Sequence, residues 1–156
     1  MAYRMACRHA DLIAGIASFA GMAFYDPEDC QPSQRVNVLQ IHGTADINVF
    51  YGGSALFVGT PGYSFPGNMP TYPSAPGSVE RWARLNGATG AVVDSAPSLD
   101  LVEDVPGLDT SITRYTSAPL GGAAELWTIV GAGHFPTLSA QFAPRLIDWL
   151  LSHPKP

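Results

Sequence analysis

Residues 36–46 read Val-Asn-Val-Leu-Gln-Ile-His-Gly-Thr-Ala-Asp. The run Val36 to Ile41 has the pattern of a strand buried on both faces, and it ends in His42-Gly43 with Asp46 just beyond. Leu12 to Ala20, upstream, is a second such run, closed by Gly21. Downstream, Thr110 to Tyr115 and Ala124 to Val130 read as strands parted by the Gly121-Gly122 turn. Helical patterns lie around them. Residues 2 to 9 are good helix formers with no cap in front. Ser78 can cap a helix running to about Asn86, with Gly87 at its end and Val79, Trp82, Ala83 and Leu85 on its buried side. Phe142, Leu146, Trp149 and Leu150 follow i, i+4, i+7, i+8, an amphipathic closing helix that Pro154 terminates. Apolar strands alternating with helices predict the α/β class, with a parallel or mixed sheet rather than a sandwich.

Length and composition bound the rest. A chain of 156 residues is one domain. Only 13% of residues are charged while 46% are hydrophobic, so a disordered chain is excluded. A net charge of −5 makes nucleic acid a poor partner. No apolar run approaches the ~18 residues of a membrane span, and Met1 to His9 carries two Arg without the apolar stretch of a signal peptide behind it. Between Tyr51 and Ser78 the chain turns loop-like, with Pro61, Pro66, Pro70, Pro73 and Pro76 and with Tyr51, Phe57, Tyr63, Phe65 and Tyr72 spaced through it. These aromatics can stack on an acyl group or simply pack the loop.

In open α/β sheets, ligands bind beyond the carboxyl ends of the strands. Two polar groups fall there: Asp46, and His134 in Gly131-Ala132-Gly133-His134-Phe135-Pro136. Asp first and His later, each on a strand-end loop, is the order of the last two triad members of an α/β-hydrolase. His42 reads as support for the strand end, His9 and His153 as solvated helix-end residues, and the spacings suggest no metal site. Ser18 and Ser54 read as structural, with Ser54 the better outside candidate for a replacement nucleophile. Cys7 and Cys30 either pair in an oxidising compartment or stay buried thiols.

These motifs together resemble the polyhydroxybutyrate depolymerase and feruloyl esterase-like family of α/β-hydrolases. Met1 to Gly21 is similar to the segment after that family's nucleophile motif, and His42-Gly43-Thr44-Ala45-Asp46, together with Tyr51-Gly52-Gly53, to its acid loop. Trp82-Ala-Arg-Leu-Asn-Gly87 resembles its helix after the variable loop, and Gly131-Ala-Gly-His134 its histidine loop. The resemblance implies Asp46 as triad acid and His134 as general base of a carboxylic-ester hydrolase, with no cofactor and a secreted or periplasmic home. It further implies that the chain is the C-terminal portion of such a fold, with a mostly parallel sheet, lacking the N-terminal strands and the Gly-x-Ser-x-Gly elbow. No such motif occurs in the sequence; Gly62-Tyr63-Ser64-Phe65-Pro66 comes nearest, with Pro66 in place of the second glycine. Without the serine, the chain is expected to be inactive alone and to self-associate through a truncated sheet edge. The competing expectation is a non-catalytic remnant that binds an ester, a glycan surface or a partner. Two departures from the family pattern are Ala88, where a cysteine often stands, and Phe135-Pro136-Thr137 after the histidine.

Overall fold

A strand with apolar side chains on both faces is stable only between two layers, and Val36 to Ile41 is placed there. The structure, a computed structural model, describes residues 1–24, 26–54, 72–94 and 96–155. Its elements are helix α1 (Ala2–Arg8), strand β1 (Gly15–Phe19), a 3-10 turn at Pro27–Asp29, β2 (Asn37–Gly43), α2 (Ala75–Asn86), β3 (Ala91–Val93), β4 (Thr110–Tyr115), β5 (Ala124–Ile129) and α3 (Phe142–Ser152). The five strands form one open sheet in the order β1-β2-β5-β4-β3. The β1, β2 and β5 pairings are parallel; β5 with β4 and β4 with β3 are antiparallel. The sheet is therefore mixed rather than mostly parallel, because the Gly121-Gly122 turn folds β4 back directly onto β5.

Alternation along β2 sorts the core. Val36 and Val38 pack with Tyr3, Ala6, Cys7 and Trp82 of the two helices on one side, whereas Leu39 and Ile41 pack with Trp127, Ile129, Phe142 and Trp149 towards α3 on the other. Every residue of β2 is buried. Gln40 and His42 continue the α1 and α2 side of the strand, so two polar side chains lie inside a layer that the apolar pattern alone would fill. β1 is shorter than the run Leu12 to Ala20, and only alternate residues of it are buried. It ends at Phe19, and the next residue, Ala20, has a left-handed φ of 50°, unusual for a residue with a Cβ.

The helix ends differ from expectation. α2 is capped by Ser74, whose Oγ accepts from the Gly77 amide at 3.0 Å, and Pro76 sits in its first turn, where its missing N–H removes no helical bond. Ser78 instead lies inside α2, buried, accepting from the Ala23 amide at 3.1 Å. Leu85 is exposed, and Asn86 takes the inward place, pairing its amide with the backbone N–H and C=O of Val36. In α3, Phe142 and Trp149 are buried, while Leu150 is exposed.

A disulfide joins Cys7 of α1 to Cys30, 23 residues on. Closing a loop of this size restricts the unfolded chain and stabilises the fold by about 3 kcal/mol. Cys30→Ser, or reduction of the wild type, is expected to lower the urea midpoint and to steepen the slope somewhat, because the uncrosslinked unfolded chain exposes more surface. Equal midpoints with and without reductant would show that the bond adds nothing.

Candidate functional site

β2 and β5 are parallel neighbours, with Gly43 beside Ile129, so the loops leaving their carboxyl ends start side by side. Backbone bonds then stitch the loops together. The Thr44 amide donates to Ile129 O at 3.0 Å, the Ala45 amide to Ala132 O at 3.0 Å, and the Gly131 amide to Thr44 Oγ1 at 2.8 Å. The approach is close enough that a Cβ on Gly43 would collide with the Ala132 carbonyl, which explains glycine at that position.

From these loops Asp46 and His134 meet. His134 Nδ1 lies 2.7 Å from Asp46 Oδ2, and the carboxylate is wholly buried while the imidazole is 20% exposed. The other oxygen, Asp46 Oδ1, accepts from the Asn48 and Val49 amides, each at 2.9 Å, which fixes the carboxylate plane. An ionised carboxylate only accepts, so the proton of the shared bond belongs to His134 Nδ1 and the lone pair to Nε2. Among the described residues nothing bonds to that Nε2. His134 forms part of the wall of an apolar cleft of about 380 Å³ that also includes Phe19 and Ile41 of the sheet, Phe142 and Leu146 of α3, and Phe135. Phe135 stands edge-on to the imidazole, with ring centroids 4.3 Å apart, and is 86% exposed.

A third side chain reaches the pair. His42, the strand-end residue, places Nε2 3.2 Å from Asp46 Oδ2 and 2.8 Å from the Val49 carbonyl oxygen. Its Nδ1 is 3.1 Å from Gln40 Nε2. Tyr3 of α1 donates its hydroxyl to Gln40 Oε1 at 2.9 Å, so a polar chain runs from α1 to the carboxylate. Reading the sequence linearly misses Tyr3 and Gln40 altogether and sees His42 only as a support. Its one available signal is the period-two placement of Gln40 and His42 on a strand otherwise apolar.

Other sequence candidates are placed elsewhere. Ser54 is buried and engaged with Tyr72, its Oγ accepting from the Tyr72 amide at 2.8 Å, which argues against a nucleophile there. Tyr72 is buried too and accepts from the Phe50 amide through its hydroxyl. The Tyr51 hydroxyl lies 2.8 Å from Thr128 Oγ1, and its ring stands edge-on to His42. Phe57, Tyr63 and Phe65 lie outside the described residues. Ser18 is buried in β1. His153 stacks on Trp149 beyond the C-terminus of α3, away from the pair. Among the described residues no group of His, Cys, Asp and Glu could hold a metal, and no helix is long and apolar enough to cross a membrane.

No family profile matches the chain. Two known proteins are similar to it. One is the putative esterase NocK of Nocardia uniformis subsp. tsuyamanensis, 37% identical over 137 residues, which cover 86% of this chain and 38% of that protein. The other is feruloyl esterase B of Piromyces equi, 28% identical over 131 residues, covering 82% of this chain and 21% of that protein. Both are named as esterases. The chain thus spans well under half the length of either relative.

Burial pushes the His42 imidazole below its ordinary value of 6.5, against the opposing pull of the Val49 carbonyl and the Asp46 carboxylate. The unfolded chain takes up this proton at the ordinary value and the folded chain resists it. The stability that the neutral ring contributes is therefore present above pH 6.5 and is lost as pH falls below it. The melting temperature is expected to fall between about pH 7 and pH 5, and less steeply in His42→Gln. Identical slopes in the two proteins would contradict this.

Proposed function

We propose that these residues form the acid-and-base portion of a serine carboxylic-ester hydrolase built as a single, partial α/β-hydrolase domain. The observation that carries this reading is the 2.7 Å bond between His134 and Asp46 on the loops after two adjacent parallel strands, with His134 Nε2 left without a partner among the described residues. Two longer relatives named as esterases support it. The nucleophile is proposed to come from a Gly-x-Ser-x-Gly elbow outside these residues.

His134 Nε2 takes the serine proton as Oγ bonds to the ester carbonyl carbon. Asp46 stabilises the imidazolium so formed. Collapse of the tetrahedral intermediate breaks the carbon–oxygen bond to the alcohol, which leaves with the proton from Nε2. Water then attacks the acyl-enzyme, giving its proton to Nε2, and the serine regains it as the acid departs. The apolar cleft beside His134 suits an uncharged acyl or aryl group, a description that fits polyhydroxyalkanoates, feruloyl esters and short acyl esters alike.

Without the elbow, the 156-residue chain is expected to resist labelling by a fluorophosphonate probe in intact-mass analysis. In a longer protein that joins these residues to the elbow, His134→Ala is expected to lower kcat for p-nitrophenyl acetate by about 10,000-fold or more, and Asp46→Asn by a similar factor, with KM little changed. Unimpaired hydrolysis by His134→Ala would overturn the reading. Labelling of the short chain that disappears in His134→Ala would instead locate an activated serine within it. The absence of an elbow from the sequence favours a second reading, a non-catalytic binding remnant of the fold. That reading wins if the longer protein hydrolyses no ester.

Among the described residues no strand pairs with the outer edge of β1, and Leu12 nearby is 74% exposed. The isolated chain is therefore proposed to self-associate along that edge. Light scattering after size-exclusion chromatography should give a dimer or larger species; a stable monomer with cooperative melting would count against it.

A further inference from the structure

The amide of Gln40 can be oriented in only one way. Its Nε2 donates to the Gly21 carbonyl at 2.8 Å and its Oε1 accepts from Tyr3 Oη at 2.9 Å. Turning the amide over would set two oxygens against each other at Gly21. The left-handed Ala20 precedes that carbonyl in the turn at the end of β1. The second hydrogen on Gln40 Nε2 is left for His42 Nδ1, 3.1 Å away, and a nitrogen that receives a hydrogen presents a lone pair. The proton of His42 therefore sits on Nε2, shared between the Val49 carbonyl at 2.8 Å and Asp46 Oδ2 at 3.2 Å.

We infer that His42 is a positioning residue for the Asp46–His134 pair, a neutral imidazole locked by Gln40 with its proton on Nε2 and aimed at the carboxylate. Asp46 Oδ2 thereby faces that N–H at 3.2 Å, beside the three full donors that the carboxylate already has in the Asn48 and Val49 amides and His134 Nδ1, which further restricts its rotation. The lock also settles charge. A doubly protonated His42 would press an N–H against the Gln40 amide hydrogens, so the ring beside Asp46 stays uncharged while Gln40 is in place. The negative charge of Asp46 is then left to face His134 alone. A cation at position 42 would compete for it and weaken its hold on the His134 proton.

The value of this arrangement for catalysis rests on His134 being the general base, but the tautomer and the order of the pair can be measured without any hydrolysis, so the two ideas fail separately. The test is nitrogen-15 NMR of the histidine rings in the 156-residue chain. Wild-type His42 is expected to show a protonated Nε2 and a bare Nδ1; the opposite tautomer, or both nitrogens protonated near neutral pH, overturns the inference. The His134 Nδ1 proton is expected to exchange with water at the wild-type rate in His42→Gln, whose amide restores a donor. In His42→Phe it should exchange about tenfold faster or more, the consequence of losing one hydrogen bond to a charged group. A folded His42→Phe that keeps the wild-type exchange rate removes the positioning role. Should that variant not fold, the wild-type tautomer decides alone.

Discussion

β2 and β5 run parallel and side by side, so the chains that leave their carboxyl ends begin only about 4.8 Å apart. Sequence distance is cancelled by that pairing: Asp46 and His134 are 88 residues apart along the chain and share one proton in space. If the register of β5 against β2 slipped by one residue, Trp127 and Ile129 would leave the core and the histidine loop would no longer lie over the acid loop. The apolar contacts of Leu39, Ile41, Trp127 and Ile129 with α3 thus hold the register and, through it, the pair.

The polar side of β2 is the expensive part of the structure. Tyr3, Gln40, His42 and Asp46 are all buried, and each would be destabilising by a few kcal/mol if left without partners. Each is satisfied by another member of the chain or by a backbone group nearby. A network completed in this way has few alternative arrangements, since moving one member leaves the next unpaired. The disulfide anchors the same helix that carries Tyr3, so α1 is tied to the sheet covalently as well as by packing.

Much of this was legible in the residues. The strand patterns located four of the five strands, Thr110 to Tyr115 with its observed bounds, and missed the short β3, and the strand-end placement of Asp46 and His134 singled them out before any geometry was known. Two kinds of feature were hidden. Local chemistry misled at α2, where Pro76 looked like loop but is tolerated in a first turn, so the cap moved back to Ser74. Tertiary partnership was invisible at Tyr3 and Gln40, whose roles depend on α1 packing over β2, a fact that no periodicity in either segment records. The mixed sheet was likewise open, because a two-glycine turn says that the chain reverses but not which neighbour it rejoins.

At Gly43 the two loops touch with no room for even a methyl group, and three further bonds close the seam on either side. Neither loop can swing without dragging the other. The Asp46–His134 pair consequently behaves as one rigid body, and under the acid and base roles proposed for it little reorganisation would remain for the moment of reaction. Under the proposed function, adaptation to a substrate would come from the opposite wall of the cleft, so differences in substrate preference among proteins with this seam would arise there, while the pair itself stays the same.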